Sequence, residues 1–210
     1  METLEACAEA NPHGGGIAWR ERGLVHYRKT DDPAEMRRLA SQARGEVVIH
    51  FRIASVGGVS PHLRHPFLVT GRSGLSHEGT ARAVLFQNGT WHGWVEAVER
   101  AVRAGHKRPA GPMSDARAAA WLTHVHGPDF LRDLTPSRWV LFTADTTIAH
   151  GQWRERGGIR FSNLHWCRED SDIPPHLVAR SSAPQRMQTV DLWGGESRDY
   201  WARLRAACPK

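Results

Sequence analysis

The strongest constraint on the fold is the spacing of short strand-like runs. Ile17-Ala18-Trp19, Leu24–Tyr27, Val47–Arg52, Ala83–Phe86, Arg138–Thr143, Ile148–Gly151 and Ile159–Phe161 are rich in β-branched and aromatic residues. Turn residues bound them: Arg22-Gly23, Gln87-Asn88-Gly89 and Arg156-Gly157-Gly158. Helical stretches are inserted between these runs. Leu4–Ala10 is Ala/Glu-rich and is stopped by Asn11-Pro12. Asp32-Pro33 opens a helix through Ala43 that places Met36, Leu39, Ala40 and Ala43 on one face. An amphipathic helix spans Trp91–Ala104 and closes at Gly105, and Ser114 caps another that runs to about His124. Strands that cluster with helices between them, without regular alternation, indicate an α+β fold.

Other segments are less regular. From Gly57 to Arg82 the chain is rich in Gly, Ser, His and Pro and reads as a long functional loop region, interrupted by His65–Val69. Gln152-Trp153-Arg154 is expected to continue the strand at Ile148. The domain plan is one unit over 1–167, followed over 168–210 by an irregular Pro-containing tail with a short C-terminal helix.

Composition narrows the function. A chain of 210 residues suits one domain, and no apolar run approaches the roughly 20 residues of a membrane span. The first residues, Met1-Glu2-Thr3-Leu4-Glu5, are acidic and carry no apolar signal core. Cys7, Cys167 and Cys208 are widely spaced and odd in number, which fits a reducing, cytoplasmic setting better than a disulfide framework. The net charge of +6 raises nucleic acid as a partner. However, the basic residues, nearly all Arg, are scattered among acids with no stripe and no DNA- or RNA-binding motif, so nucleic acid is the weaker alternative.

Four segments carry a more specific signal. They are Asn11–Ile17 (Asn-Pro-His-Gly-Gly-Gly-Ile); His50–Gly57 (His-Phe-Arg-Ile-Ala-Ser-Val-Gly) with His65-Pro66-Phe67 after it; Gln87-Asn88-Gly89; and Ser114-Asp115. In this order they resemble the glutaminase domain of class II glutamine amidotransferases, of the N-terminal-nucleophile hydrolase type. That family's usual patterns are Asn-x-Asp-Gly-x-Gly, His-x-Arg-x-Ala-Thr/Ser-x-Gly, His-Asn-Gly and Ser-Asp-Ser/Thr. Gly151-Gln152-Trp153 and Phe161-Ser162-Asn163 resemble the closing strands of small phage and bacterial members, so the similarity covers roughly residues 4–166.

The resemblance implies a four-layer αββα sandwich of two antiparallel sheets, here lacking the first strand. It also implies hydrolysis of glutamine to glutamate and ammonia through a γ-glutamyl thioester, with no cofactor and no metal. Arg52 would hold the substrate carboxylate in its planar fork and Asp115 the ammonium, with His50 and His65 in the same substrate-binding group. The Asn88 side-chain NH2 and the Gly89 N–H would stabilise the oxyanion. No acceptor domain is legible after residue 166, so ammonia would pass to a separate acceptor enzyme, if to any.

Taken singly, each residue has a plainer role. Arg52 fits an internal ion pair, Asn88-Gly89 a hairpin turn, Ser114-Asp115 a helix cap, Gly14–Gly16 a turn, and Glu21 and Lys29 surface charge. Order and spacing favour the functional alternative.

The family's nucleophile is a Cys at mature position 1, with its own α-amino group as base. This chain opens Met1-Glu2; Glu2 blocks ordinary methionine removal, and Thr3 would need an unusual cut. Cys7 lies only a few residues before Asn11, on the first helix, and reads as a structural cysteine. Two explanations follow: a gene start set too late, which would omit a Cys-led strand, or a degenerate homologue that binds glutamine without hydrolysis. His13 for Asp and Gln87 for His point to divergence. A sheet left without a member would expose backbone and apolar surface, which favours the late start.

Among other constellations, His62/His65, His124/His126 and His165 with Cys167 do not form a metal-ligand pattern. No Gly-x-Ser-x-Gly elbow is present. Trp91, Trp94, Trp121, Trp139, Trp153 and Trp166 are expected to fill the core, although Trp with Arg also suits a single-strand nucleic-acid module.

Overall fold

The strand-like runs pair into two separate four-stranded antiparallel sheets. The computed structural model describes residues 2–53, 60–156 and 158–164. The chain divides into two compact units, Met1–Gln152 and Trp153–Lys210. In the first unit the strands are β1 (Gly15–Glu21), β2 (Leu24–Thr30), β3 (Val47–Phe51), β4 (Phe67–Leu68), β5 (Glu78–Ala81), β6 (Ala83–Asn88), β7 (Arg138–Thr143) and β8 (Thr147–His150). The first sheet has the order β3-β1-β2-β5 and the second β4-β6-β7-β8. In the second unit, β9 (Arg154–Arg156) and β10 (Ile159–Phe161) form their own hairpin. This corrects the expectation that Gln152–Arg154 extends β8. That strand ends at His150, and Gly151 turns the chain away with φ +95°. His165, Trp166 and the 168–210 tail lie outside the described residues, as do 54–59 of the second motif.

Local chemistry explains the elements. Arg22 and Gly23 both take positive φ (53° and 72°), the two-residue turn whose twist suits the β1-β2 hairpin. Helix α1 covers Glu2–Ala10, and α2 covers Pro33–Gln42. Asp32 caps α2 by accepting from the Ala34 N–H at 2.8 Å, with Pro33 at the first helical position. Helix α3 is Trp94–Arg103 and α4 is Asp115–His126, where the Ser114 hydroxyl accepts from the Arg117 N–H at 3.2 Å.

Alternation along the strands sets the packing. Outward-facing Arg28 pairs with Glu35 of α2 at 2.9 Å, and Met36 is buried against that side of the first sheet. The inward face of the first sheet meets the second: the Arg20 guanidinium lies 4.1 Å over the Phe142 ring, and its Nε donates to the Thr143 carbonyl. On its other side the second sheet packs against α4, and α3 packs on α4 through Ala97, Val98, Ala101, Trp121 and Leu122. Trp121 and Trp139 are fully buried. No helix among the described residues is long and apolar enough to cross a membrane.

The 57–82 stretch holds more structure than its composition suggests. It contains a 3-10 turn at Pro61–Leu63, the short β4, and the edge strand β5, which pairs with β2. Nor is Asn88-Gly89 a hairpin turn. Strand β6 runs into α3 and α4 before the chain returns as β7, its partner.

Candidate functional site

The site residues gather at one end of the two sheets. Register places His50, Gly16 and Lys29 side by side across β3, β1 and β2, all on the inward face. A Cβ on Gly16 would lie 2.2 Å from the His65 carbonyl oxygen and 2.6 Å from that of Arg28, so the backbone at His65 occupies the space a side chain would take. The His65 ring sits 4.0 Å from His50, meets Phe67 edge-on and stacks on Phe86. It is buried, and neither ring nitrogen has a hydrogen-bond partner among the described residues. Burial, then His50, Lys29 and Arg52, hold its pKa well below the ordinary histidine value. The His50 Nδ1 is shielded although the residue as a whole is only partly buried. Burial lowers the His50 pKa to about 4 against an opposing hydrogen bond that the ring donates to the Gln87 backbone carbonyl, with the Arg52 charge lowering it further.

Arg52 follows directly on β3 and is 5% exposed. Its backbone is stapled to the glycine-rich segment: Arg52 N–H donates to Gly14 O at 2.8 Å, and His13 N–H donates to Arg52 O at 3.1 Å. Burial lowers its pKa; Asp115 opposes that shift and Arg64 adds to it. Arg52 and Asp115, 63 positions apart in sequence, therefore face each other electrostatically.

Asp115 opens α4 and is 7% exposed. Its Oδ2 accepts from Gln87 Nε2 at 2.8 Å and from Trp91 N–H at 2.9 Å. Oδ1 has no hydrogen-bond partner among the described residues. Gln87 Nε2 also donates to Ser137 Oγ at 3.2 Å. Asn88 ends β6, and its Oδ1 accepts from Arg138 Nη1 at 3.3 Å, which leaves its NH2 as the donor end. Gly89 takes φ +112°, with Ser137 Oγ 3.0 Å from where a Cβ would stand, so a side chain there is doubly disfavoured. Trp91 continues into an open groove of 610 Å³ that Glu96, Arg100, Phe130 and Asp133 also line.

The structure thus brings together His50, Arg52, His65, Asn88, Gly89 and Asp115, all singled out in the sequence, from four segments. Cys7 lies apart, on α1, which packs on α2. His62 pairs with His77, the ring nitrogens 3.1 Å apart, and not with His65; His126 stands near His106. Among the described residues no group of three or more His, Cys, Asp or Glu could hold a metal ion.

Lys29 corrects the surface-charge expectation, being 4% exposed. It shares the alternation of buried Val25 and Tyr27 on β2, and that period was the signal to follow. Ser137 and the Gln87 side chain also belong to the site. No local pattern marks Ser137, since it meets Gln87 only through the β6-β7 pairing. Comparison of the chain with protein-family models and with curated proteins finds no match.

Proposed function

We propose that this chain is a glutamine-binding domain of the class II amidotransferase type, with its sheets and helices forming the four-layer αββα sandwich of N-terminal-nucleophile hydrolases. The observation that carries the reading is the electrostatic coupling of buried Arg52 to buried Asp115, with the Asp115 carboxylate fastened to Gln87 beside the Asn88-Gly89 turn. Opposite charges at that spot match the two ends of an amino acid. Its α-carboxylate would take the Arg52 fork and its α-ammonium the open Oδ1 of Asp115. The side-chain amide then lies towards the Asn88 NH2 and the Gly89 N–H, donors suited to a tetrahedral oxyanion.

Hydrolysis requires attack on the amide carbon by an N-terminal cysteine thiol, its α-amino group taking the proton. Ammonia then leaves, and water releases glutamate from the thioester. The described residues bring no cysteine to this cluster, so turnover depends on a Cys supplied from outside them. A second reading, glutamine binding without turnover, is favoured by Gln87. It replaces the family's usual histidine with a neutral amide fastened to Asp115.

Isothermal titration of the chain with glutamine tests the proposal. We expect heat at millimolar glutamine, and Arg52→Ala to weaken binding at least tenfold through loss of the carboxylate partner. An Arg52→Ala variant that binds like the wild type would overturn the site.

A further inference from the structure

Lys29 has surroundings that the substrate-binding reading does not use. Its Nζ donates to the His62 carbonyl at 3.3 Å and lies 4.8 Å over the Phe67 ring, and among the described residues it meets no carboxylate. Among the described residues, the groups that touch it or act on it are cationic or neutral. Arg117 acts on it from α4; His62 and His65 come from the segment around the 3-10 turn; His77, on which Arg64 also acts, comes from the loop ahead of β5; and Tyr27 shares its face of β2. Beyond His65 stand His50 and Arg52, and the Asp115 carboxylate acts electrostatically on Arg52. Lys29 lies two strand spacings from His50, on the order of 10 Å, with the His65 backbone seated between them over Gly16. His65 feels both Lys29 and Arg52 electrostatically.

We propose that Lys29 is a proton-controlled positioning residue that tunes how tightly the Arg52 site holds a carboxylate. The inference rests on Arg52 as the seat of the ligand's carboxylate. Desolvation, with Arg117 adding to it, lowers the Lys29 pKa to about 7, so its charge is present below neutrality and gone above it. Arg52 lies two residues beyond His50, which puts a carboxylate in its fork roughly 10–15 Å from Lys29. A unit charge at that range in a protein interior changes anion affinity roughly three- to tenfold once screening is included. By linkage, a bound carboxylate raises the Lys29 pKa, so binding near pH 7 takes up protons.

The test is isothermal titration of the full chain with L-glutamine from pH 6 to 8, in buffer pairs of different ionisation heat. Wild-type affinity should fall about three- to tenfold across that range, with proton uptake near pH 7. Lys29→Met should bind at the weaker level throughout, without uptake, and Lys29→Arg at the tighter level throughout. The inference is overturned if either variant keeps the wild-type slope and uptake, and Lys29→Arg decides the matter should Lys29→Met fail to fold. A wild type that binds with pH-independent affinity removes the role of Lys29 and leaves Arg52 standing. No binding at any pH sinks both.

Discussion

Arg117→Met separates what a buried cation contributes by hydrogen bonding from what it costs by burial. The Arg117 residue is 1% exposed and meets no carboxylate among the described residues. Its guanidinium is enclosed by four main-chain carbonyls: Ser73 at 2.9 Å from Nε, Pro112 at 2.6 Å from Nη1, and Ala110 and Arg72 at 2.8 and 3.4 Å from Nη2. At a net ~1 kcal/mol each these bonds contribute about 4 kcal/mol, and removing an uncompensated charge from the interior returns roughly 1–2 kcal/mol of that. Methionine fills most of the volume, so the cavity term is small. The expected loss is about 2–3 kcal/mol, or a melting temperature lower by roughly 4–12 °C for a chain of this size. Scanning calorimetry supplies the number, and hydrogen exchange should show the loops at 70–76 and 109–113 opening first. Arg117→Lys keeps the charge but not the fork, and is expected to be at least as destabilised as the methionine variant. A lysine variant as stable as the wild type, or a methionine variant within 2 °C of it, would refute the reasoning.

Gly16→Ala places a methyl against two main-chain oxygens that cannot swing aside, and is expected to cost about 3 kcal/mol or more, read by urea unfolding; wild-type stability would contradict the close approach. His50 is depressed to about 4 in the folded chain, so the unfolded chain binds the extra proton between the two pKa values. Its stability contribution is complete above about 6.5 and is lost as pH falls towards 4, by up to roughly 3 kcal/mol. His50→Asn should flatten that limb of the pH–stability curve, and parallel curves would count against it. Gln87→Leu strips Asp115 and Ser137 of a shared donor, and should cost roughly 1–3 kcal/mol and weaken glutamine binding. Equal affinity in that variant would show that Asp115 needs no such support. Glutamine turnover is expected from a chain extended ahead of Met1 by a Cys-led strand, and ammonia release that persists with Arg52→Ala would displace Arg52 from the site.

How much of this was legible in the sequence depended on the range of the contact involved. The hairpin at Arg22-Gly23, the caps at Asp32 and Ser114 and the strand at Arg138–Thr143 follow from local chemistry, and they fall where the residues place them. Strand β5 was hidden because Glu78-Gly79-Thr80-Ala81 is an exposed edge whose partner, not its composition, makes it a strand. The pairing of Arg52 with Asp115 as site candidates came from the order of motifs, not from the residue types, and the structure shows the two coupled electrostatically. The burial of Lys29 was readable from the period of β2, but an isolated lysine favours the surface assignment. Arg117 gave no signal, since its partners are carbonyls, which every residue carries.

The hydrogen bond from the Trp91 N–H to Asp115 has a further consequence. It ties the first residue after the Asn88-Gly89-Thr90 stretch to the first residue of α4, so the segment between, with α3, leaves the sheet and returns at one point. The length of a segment whose ends are already held together matters little: doubling it costs only about 0.6 kcal/mol in closure entropy. Its far end, around Val102 and His106–Arg108, faces solvent. Extra residues, an affinity tag or a reporter domain inserted there should therefore leave the Arg52–Asp115 geometry in place, which gives this molecule an attachment point remote from its own chemistry.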